Sequence, residues 1–207
     1  MSSNGVKMPV VSISRLRMTT DGAGVTTLVV SHGCPLKCKY CINPFTWQGR
    51  TRAMLHTPQS LLKELEKDNL YFLATGGGVT FGGGEPLLHI GFISEFKRIC
   101  PEEWRINIET SLNVEKDAAI RAAGIADALI VDIKDMDADI YRKYTGRDNA
   151  AVMENLLAVG ELMPKENVRV RVPLIEGYND EKCTEKSVKK LKNMGYNNVE
   201  IFKYVIR

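Results

Sequence analysis

The sequence lacks the features that would place a protein in a membrane, outside the cell or on nucleic acid. No apolar run is long enough to span a bilayer, and the N-terminal segment has neither the hydrophobic region nor the cleavage site of a signal peptide. The net charge is only +3, and no basic stripe with interleaved aromatic residues is present. We therefore expect a cytoplasmic protein that binds neither membranes nor nucleic acid.

Cysteine is scarce and unevenly distributed. The 207 residues contain five cysteines, and three of them, Cys34, Cys38 and Cys41, lie within eight residues. This clustering is not typical of a secreted disulfide framework. Cys100 and Cys183 lie outside the cluster, and we expect them to be ordinary, partly buried thiols.

The cysteine cluster offers three metal ligands rather than four. Its C-x3-C-x2-C spacing lies in a loop that Pro35 and Pro44 keep from forming a regular helix. Structural zinc takes a closed tetrahedral ligand set, and a four-iron electron-transfer cluster normally takes four cysteines. Three thiolates therefore leave one metal position open to a substrate. The alternative is a zinc site that His32 or a distant residue completes.

Composition and patterning favour a single α/β domain over residues 1–207. No linker, low-complexity segment or repeat interrupts the chain, and its 44% hydrophobic residues are ordinary for a globular protein. After an edge strand or arm that reaches Thr20, strand-like and helix-like segments alternate. The predicted strands are 26–30, 79–81, 105–108, 128–133, 168–174 and 199–205. One predicted helix begins at Thr57, and four others cover 90–99, 116–123, 149–162 and 180–194. Six such strands predict a mostly parallel sheet with right-handed crossovers, either a curled partial barrel or a flat doubly wound sheet.

Polar residues recur at the carboxyl ends of the predicted strands, where parallel α/β proteins gather their functional groups. Taken singly, each has an ordinary interpretation as a turn glycine or a solvated charge. Together they predict one site at one edge of the sheet. They are the cysteine loop, Gly83-Gly84-Glu85, Glu109-Thr110, Asp132 with Lys134, and Arg171.

The cysteine spacing, followed by Gly83-Gly84-Glu85 after a hydrophobic strand, resembles the radical S-adenosylmethionine superfamily. A narrower resemblance, to the glycyl-radical enzyme activating enzymes of the pyruvate formate-lyase activating enzyme family, spans nearly the whole chain. The stretches that carry it are Asp21-Gly22-Ala23-Gly24, CKYCINPFTW, GGGVTFGGGEPLL from Gly76, VDIKDMDADIYRKYTGRDNAAVMENL from Val131, and RVRVPLIEGYND from Arg169 to Asp180.

This resemblance implies a partial (β/α)6 TIM-like barrel and a radical enzyme. Cys34, Cys38 and Cys41 would hold a 4Fe-4S cluster whose open iron binds S-adenosylmethionine through its amino and carboxylate groups. Reductive cleavage of that cofactor would give methionine and a 5′-deoxyadenosyl radical, which would abstract hydrogen from a glycine of a partner glycyl-radical enzyme. A flavodoxin or ferredoxin-type protein would supply the electron.

The same resemblance assigns roles to the polar residues at the strand ends. Tyr40 would present an aromatic face near the adenine, with plain core packing as the alternative. Glu109, Thr110 and Asp132 would lie near a monovalent-cation site. Contacts with S-adenosylmethionine would come from Asn43, Gly83, Gly84, Glu85, Asp132, Lys134 and Arg171.

The chain departs from the family pattern in three places. Glu109-Thr110-Ser111-Leu112 stands where the family commonly has Asp-Thr-Asn-Gly, a family histidine would fall near Val205, and the family's C-terminal extension is missing. Two alternatives therefore stay open. One is a radical S-adenosylmethionine enzyme that acts on a small molecule or peptide, and the other is a non-catalytic iron–sulfur or zinc module.

Overall fold

The computed structural model describes residues 5–18, 20–48 and 51–204. Val205, near which the family histidine would fall, lies outside these residues. The described residues form one eight-stranded sheet. Its strands are β1 (Met8–Met18), β2 (Val25–Ser31), β3 (Met54–His56), β4 (Gly78–Gly83), β5 (Arg105–Thr110), β6 (Ala128–Asp132), β7 (Val168–Leu174) and β8 (Val199–Lys203).

The strand order is β3-β1-β2-β4-β5-β6-β7-β8. Six strands pair in parallel, as the sequence predicts, and they are β2, β4, β5, β6, β7 and β8. By contrast, β1 pairs antiparallel with both β2 and β3. β3 and β8 are the two edges, so the sheet is open. The carboxyl ends of the six parallel strands lie at one end of the sheet, which is where the predicted site residues are found.

The described residues also form seven α-helices. They are α1 (Pro58–Leu65), α2 (Asn69–Thr75), α3 (Ile90–Ile99), α4 (Lys116–Ile125), α5 (Ala138–Thr145), α6 (Ala150–Leu162) and α7 (Glu181–Asn193). The predicted start of α1 is confirmed, because the Thr57 side chain caps the helix by accepting a hydrogen bond from the Ser60 N–H, and Pro58 occupies the first turn. Within the described ranges, no helix has the length and apolar character needed to cross a membrane.

The sequence prediction missed three elements: β3, α2 and α5. β3 has only three residues, and its Met54 and Leu55 are exposed, so it shows no buried alternation. α5 is largely polar and buries Tyr141, Tyr144 and Thr145 on one face. Its start carries a local signal, since the Asp137 side chain accepts hydrogen bonds from the backbone of the first turn.

Buried apolar side chains from the strands and helices form the main core. The middle of β4 is buried on both faces, with Val79 and Phe81 among the core residues and Thr80 buried as well. Thr80 is linked to the next strand, because the Asn107 side chain donates to its hydroxyl over 3.3 Å. The turn 21–24 packs against this pair, since a side chain at Gly22 would collide with Asn107.

Candidate active site

The cysteine loop begins directly after β2, at the carboxyl end of a central parallel strand. Gly33 starts the loop with a φ of +99°, and its N–H donates to the Thr46 carbonyl over 2.8 Å, which closes the loop on itself. The Gly33 carbonyl accepts from the Glu85 N–H at 2.7 Å. The loops that follow β2 and β4 are therefore joined through their backbones.

The C-terminal end of α5 supports the cysteine loop from another side. The Lys37 N–H donates to the Thr145 carbonyl at 2.9 Å, and the Lys39 N–H donates to the Tyr144 carbonyl at 3.1 Å. The Arg147 guanidinium also reaches the loop through the Pro35 carbonyl, at 3.3 Å. Because Lys37 and Lys39 flank Cys38, a helix that sequence patterning missed fixes the position of a predicted metal ligand.

All five cysteines are free thiols, and the three in the loop are partly buried. Burial, together with the nearby Glu85 carboxyl, raises the pKa of Cys34 to about 12. Burial also raises the pKa of Cys38, although the Lys134 ammonium acts in the opposite direction. Cys41 accepts a hydrogen bond from the Trp47 indole N–H at 3.4 Å. Three thiols in one loop are a donor set that fits an iron–sulfur cluster, whose irons replace the thiol protons.

Glu85 is buried, and its carboxylate forms hydrogen bonds in the loops after β4 and β5. Its carboxylate accepts hydrogen bonds from the Thr110 hydroxyl at 2.7 Å, from the Ser111 N–H at 2.9 Å and from the Ser111 hydroxyl at 2.7 Å. It also accepts from the Leu87 N–H at 3.2 Å. Complete burial raises the pKa of Glu85 despite these donors. The side chain therefore connects two loops of the protein, and its predicted contact with S-adenosylmethionine stays a prediction.

The glycines before Glu85 allow the β4 loop to approach the cysteine loop. Gly83 has a φ of +88°, and its carbonyl accepts from the Asn43 side chain at 3.3 Å. A side chain on Gly84 would collide with the Gly33 carbonyl. The sequence predicts a close approach to a ligand, and the structure shows a close approach between two protein backbones. Asn43, a predicted cofactor contact, lies at this junction.

Four charged residues form a network across β5, β6 and β7. The Arg171 guanidinium donates from Nε to Asp132 Oδ1 at 2.6 Å and from Nη2 to Glu109 Oε1. Lys134 Nζ donates to Asp132 Oδ2 at 3.1 Å. The pairing of Asp132 with Arg171 follows from the strand register, in which they are direct neighbours. Sequence reasoning placed these residues at three successive strands of the chain, and the structure makes those strands neighbours and brings the residues into contact.

Burial and charge act in opposite directions within this network. Burial raises the pKa of Glu109, and Arg171 only partly offsets that rise. Burial also opposes ionisation of Asp132, but Lys134 and Arg171 outweigh it, so the pKa of Asp132 is lowered. Desolvation disfavours the charged form of Lys134, yet the adjacent Asp132 carboxylate raises its pKa above the usual range. The network therefore holds Asp132, Lys134 and Arg171 in their charged forms beside Cys38.

The predicted monovalent-cation site falls on residues that already have protein partners. Glu109 and Asp132 are both ion-paired with Arg171, and the Thr110 hydroxyl donates to Glu85. Over the described ranges, no three or more His, Cys, Asp or Glu side chains converge as ligands of one single metal ion, and this holds for the three loop cysteines as well as for Glu109 and Asp132. The Arg171 guanidinium supplies the positive charge between these two carboxylates, and a bound cation there stays a prediction.

Tyr40 belongs to a cluster of tyrosines that sequence reasoning did not foresee. Its ring packs edge-on against Tyr144 and Tyr178, with centroids 6.2 and 5.6 Å apart. Tyr144 also contacts Tyr178 at 5.1 Å and Tyr204 at 6.4 Å. These tyrosines come from the cysteine loop, α5 and the segments that follow β7 and β8. Tyr40 thus packs among aromatic rings, and its predicted place beside an adenine stays a prediction.

Leu112 occupies the position where the family pattern has glycine, and it keeps a glycine-like backbone. Its φ is +55°, a conformation that costs a residue with a side chain about 1–2 kcal/mol. Asn155, buried on α6, donates to the Leu112 carbonyl at 2.9 Å and to the Val114 carbonyl at 2.8 Å. A buried asparagine inside the apolar sequence of α6 is the signal that would have revealed this contact.

The family model of the radical SAM superfamily matches residues 28–186 of this chain. Among curated proteins, the pyruvate formate-lyase-activating enzyme of Staphylococcus epidermidis is 32% identical to it over 171 residues. That match covers 79% of this chain and 67% of the S. epidermidis enzyme.

Two solved structures show the same fold. SuiB of Streptococcus suis superposes with a TM-score of 0.64 at 14% identity, and the match covers 84% of this chain but only 38% of SuiB. QueE of Escherichia coli superposes with a TM-score of 0.52 at 13% identity and covers 96% of this chain and 94% of QueE. At these identities the likeness concerns the fold alone. It confirms a partial TIM-like barrel with a mostly parallel sheet.

Proposed function

This chain belongs to the radical SAM superfamily, and from that premise we propose that it activates a glycyl-radical enzyme. The observation that carries the proposal is the match to a pyruvate formate-lyase-activating enzyme over 79% of the chain. A second observation supports it: a loop at the carboxyl end of a central parallel strand carries three free thiols. When bound, a 4Fe-4S cluster and S-adenosylmethionine would supply one-electron chemistry that removes a hydrogen atom from a glycine.

In this proposal, Cys34, Cys38 and Cys41 would hold the cluster as thiolates. Their loop is held by backbone hydrogen bonds from two directions, the β4 loop and α5, so the backbone that carries the thiols is fixed by the fold. Lys134 and Asp132 both influence the pKa of Cys38, so these charges lie near that thiol. The metal ligands and the charged network therefore face a common region.

The charged network is proposed to bind and orient S-adenosylmethionine. Lys134 and Arg171 provide cations suited to a carboxylate, and Asp132 provides an acceptor suited to hydroxyl or ammonium groups. Arg171 is held on two sides, by Asp132 and Glu109, which limits the directions in which its guanidinium can point. Preorganised charges of this kind fix a ligand without a large loss of side-chain freedom on binding.

Other residues are proposed to support this arrangement through their contacts with the protein. Glu85 and Asn155 hold the loop after β5 in its conformation. The tyrosine cluster of Tyr40, Tyr144 and Tyr178 covers one side of the cysteine loop with aromatic surface. Aromatic cover beside the thiols reduces the access of water to the metal region.

Anaerobic reconstitution with iron and sulfide tests the first step. About four irons and four sulfides per chain are expected, as against one zinc for a zinc module. Cys38→Ala should lower the iron content strongly while the far-ultraviolet circular dichroism stays unchanged, because the sheet does not depend on the thiol. Cys100→Ala is the matched control, and it should retain the full iron content.

The activase step is tested by incubating the reduced protein with S-adenosylmethionine and candidate glycyl-radical enzymes. Electron paramagnetic resonance should then detect a glycyl radical on one partner. Cleavage of the cofactor without a radical on any partner would contradict the activase proposal. Transfer of deuterium from a labelled metabolite into 5′-deoxyadenosine would instead assign a small-molecule substrate.

A further inference from the structure

Five exposed cations lie together on the outside of the cysteine loop and the adjoining end of α5. We call this surface the basic ridge, and its members are Lys37, Lys39, Arg142, Lys143 and Arg147. Two exposed carboxylates, Asp139 and Asp148, belong to the same segment of the chain, so the cations of the ridge outnumber them. The whole chain has a net charge of only +3, which makes this concentration of cations a local feature.

Backbone contacts hold the two halves of the basic ridge together. The hydrogen bonds from Lys37 and Lys39 to the carbonyls of Thr145 and Tyr144 place the loop against the end of α5. The Arg147 side chain crosses to the Pro35 carbonyl. The Lys143 ammonium lies 6.0 Å from the centre of the Tyr178 ring, which anchors it above the tyrosine cluster. The ridge is therefore a defined surface.

The cations of the basic ridge contribute little to the stability of the protein. Arg142 has one ion pair, with Asp139 at 3.9 Å, and both side chains in that pair are mostly exposed. Exposed pairs of this kind contribute little to stability. Lys37 and Lys39 project from a loop whose backbone is already satisfied by α5. Such a surface attracts a partner of opposite charge and orients it before contact.

We propose that the basic ridge is the docking surface for an acidic protein that carries a low-potential one-electron redox group. This inference rests on the proposed function. The redox group of the donor loses one electron and is oxidised, and the metal held by the cysteines gains that electron and is reduced. No atom or proton is transferred. Because Lys37 and Lys39 flank Cys38, a donor on this surface lies beside a metal ligand.

The position of the basic ridge favours an electron donor over the protein whose glycine is attacked. A substrate hydrogen must reach the cofactor itself, and the groups proposed to bind that cofactor, Asp132 and Arg171, lie on the strands of the sheet. An electron needs only to reach the metal. The ridge covers the outside of the metal-binding loop, so it suits a partner that delivers charge without entering the site.

Direct binding tests the docking surface independently of catalysis. The probe is an acidic bacterial flavodoxin in its oxidised form, titrated anaerobically into the reconstituted protein by calorimetry at several salt concentrations. Arg142→Glu/Lys143→Glu should raise the dissociation constant on the order of tenfold and flatten its salt dependence. The matched control is Lys182→Glu/Lys192→Glu on α7, which changes the same charge at exposed positions outside the basic ridge and should leave binding unchanged.

A second variant guards against a folding defect. Arg142→Gln/Lys143→Gln removes the charge without placing carboxylates at the end of α5, and it should weaken binding in the same direction by a smaller factor. Unchanged flavodoxin affinity in both ridge variants would overturn the proposal. An equal loss of affinity in the α7 control would overturn it as well, because binding would then follow net charge alone.

Reduction of the protein separates this inference from the proposed function. With a photoreduced small-molecule deazaflavin, wild type and Arg142→Glu/Lys143→Glu should cleave S-adenosylmethionine at equal rates. With photoreduced flavodoxin, the variant should need a higher flavodoxin concentration. No cleavage by the wild type with deazaflavin would contradict the proposed function itself. A ridge variant that responds normally to flavodoxin but forms less glycyl radical would assign the ridge to the protein substrate and overturn the electron-donor assignment.

Discussion

Glu85 accepts two hydrogen bonds from Ser111, one from its N–H at 2.9 Å and one from its hydroxyl at 2.7 Å. The two residues follow neighbouring strands, β4 and β5, and Glu85 is only 1% exposed. The acidic residue of the Gly-Gly-Glu sequence therefore fixes one loop of the site against the next. Its backbone N–H, which donates to Gly33, extends the same connection to the cysteine loop.

Glu85→Gln should destabilise the protein by about 1–3 kcal/mol, because the NH2 group that replaces one carboxylate oxygen cannot accept a hydrogen bond from the hydroxyl or N–H donor facing it. Urea denaturation of the metal-free protein under argon measures the change. Glu95→Gln is the control, since Glu95 forms only an exposed pair with Arg98 and should change stability by no more than about 0.5 kcal/mol. Equal effects of the two changes would contradict the role assigned to Glu85.

Arg171→Met should destabilise the protein by about 3–5 kcal/mol, because it leaves Glu109 and Asp132 as neighbouring carboxylates without their shared cation. If Arg171 supplies the charge of a cation site, replacing potassium chloride with choline chloride should leave the melting temperature of the wild type unchanged. The variant should regain part of its stability in potassium chloride. A wild-type melting temperature that depends on potassium would show that a bound cation acts beside Arg171.

The position of the cysteine loop at the carboxyl end of a strand could be predicted from the sequence, but the contacts that hold the loop could not. The spacing of Cys34, Cys38 and Cys41 and the polar residues at the strand ends are local patterns, and a parallel sheet brings strand ends together. The contacts of α5 with the cysteine loop join residues far apart in the chain. No local periodicity reports that the Lys39 N–H will meet the Tyr144 carbonyl. The tyrosine cluster was missed for the same reason.

The sequence also did not predict which groups the charged residues of the network would pair with. The sequence predicted Glu109, Asp132 and Arg171 at three successive strands and in one site at one edge of the sheet. Whether a carboxylate takes an internal guanidinium, a bound cation or a ligand depends on side-chain directions and burial. In the structure, Arg171 lies between Glu109 and Asp132, and Thr110 turns to Glu85.

Asn155→Ala should destabilise the protein by about 1–3 kcal/mol, because two buried carbonyls, those of Leu112 and Val114, would lose their donor. The strained backbone of Leu112 should then relax, which would show as faster amide hydrogen exchange at residues 111–114. Asn193→Ala, at the end of α7, is the control and should leave exchange at these residues unchanged. Unchanged exchange in Asn155→Ala would mean that Glu85 and Thr110 hold the loop without it.

Gly84→Ala should separate the β4 loop from the cysteine loop. The added carbon would collide with the carbonyls of Gly33 and Ser31, which accept the backbone hydrogen bonds of Glu85 and Gly84. We expect a loss of about 1–3 kcal/mol in stability. Because Gly33 immediately precedes Cys34, we also expect a lower iron content after reconstitution.

Gly124→Ala is the matched control for this change. Gly124 lies in α4 with no atom within 4 Å of the added carbon, so alanine should stabilise the helix by about 1 kcal/mol and leave the iron content unchanged. Urea denaturation and iron analysis of both variants distinguish two roles for Gly84. A loss of stability with full iron binding would limit Gly84 to packing, whereas a loss of both would mean that the approach of the two loops positions the thiols.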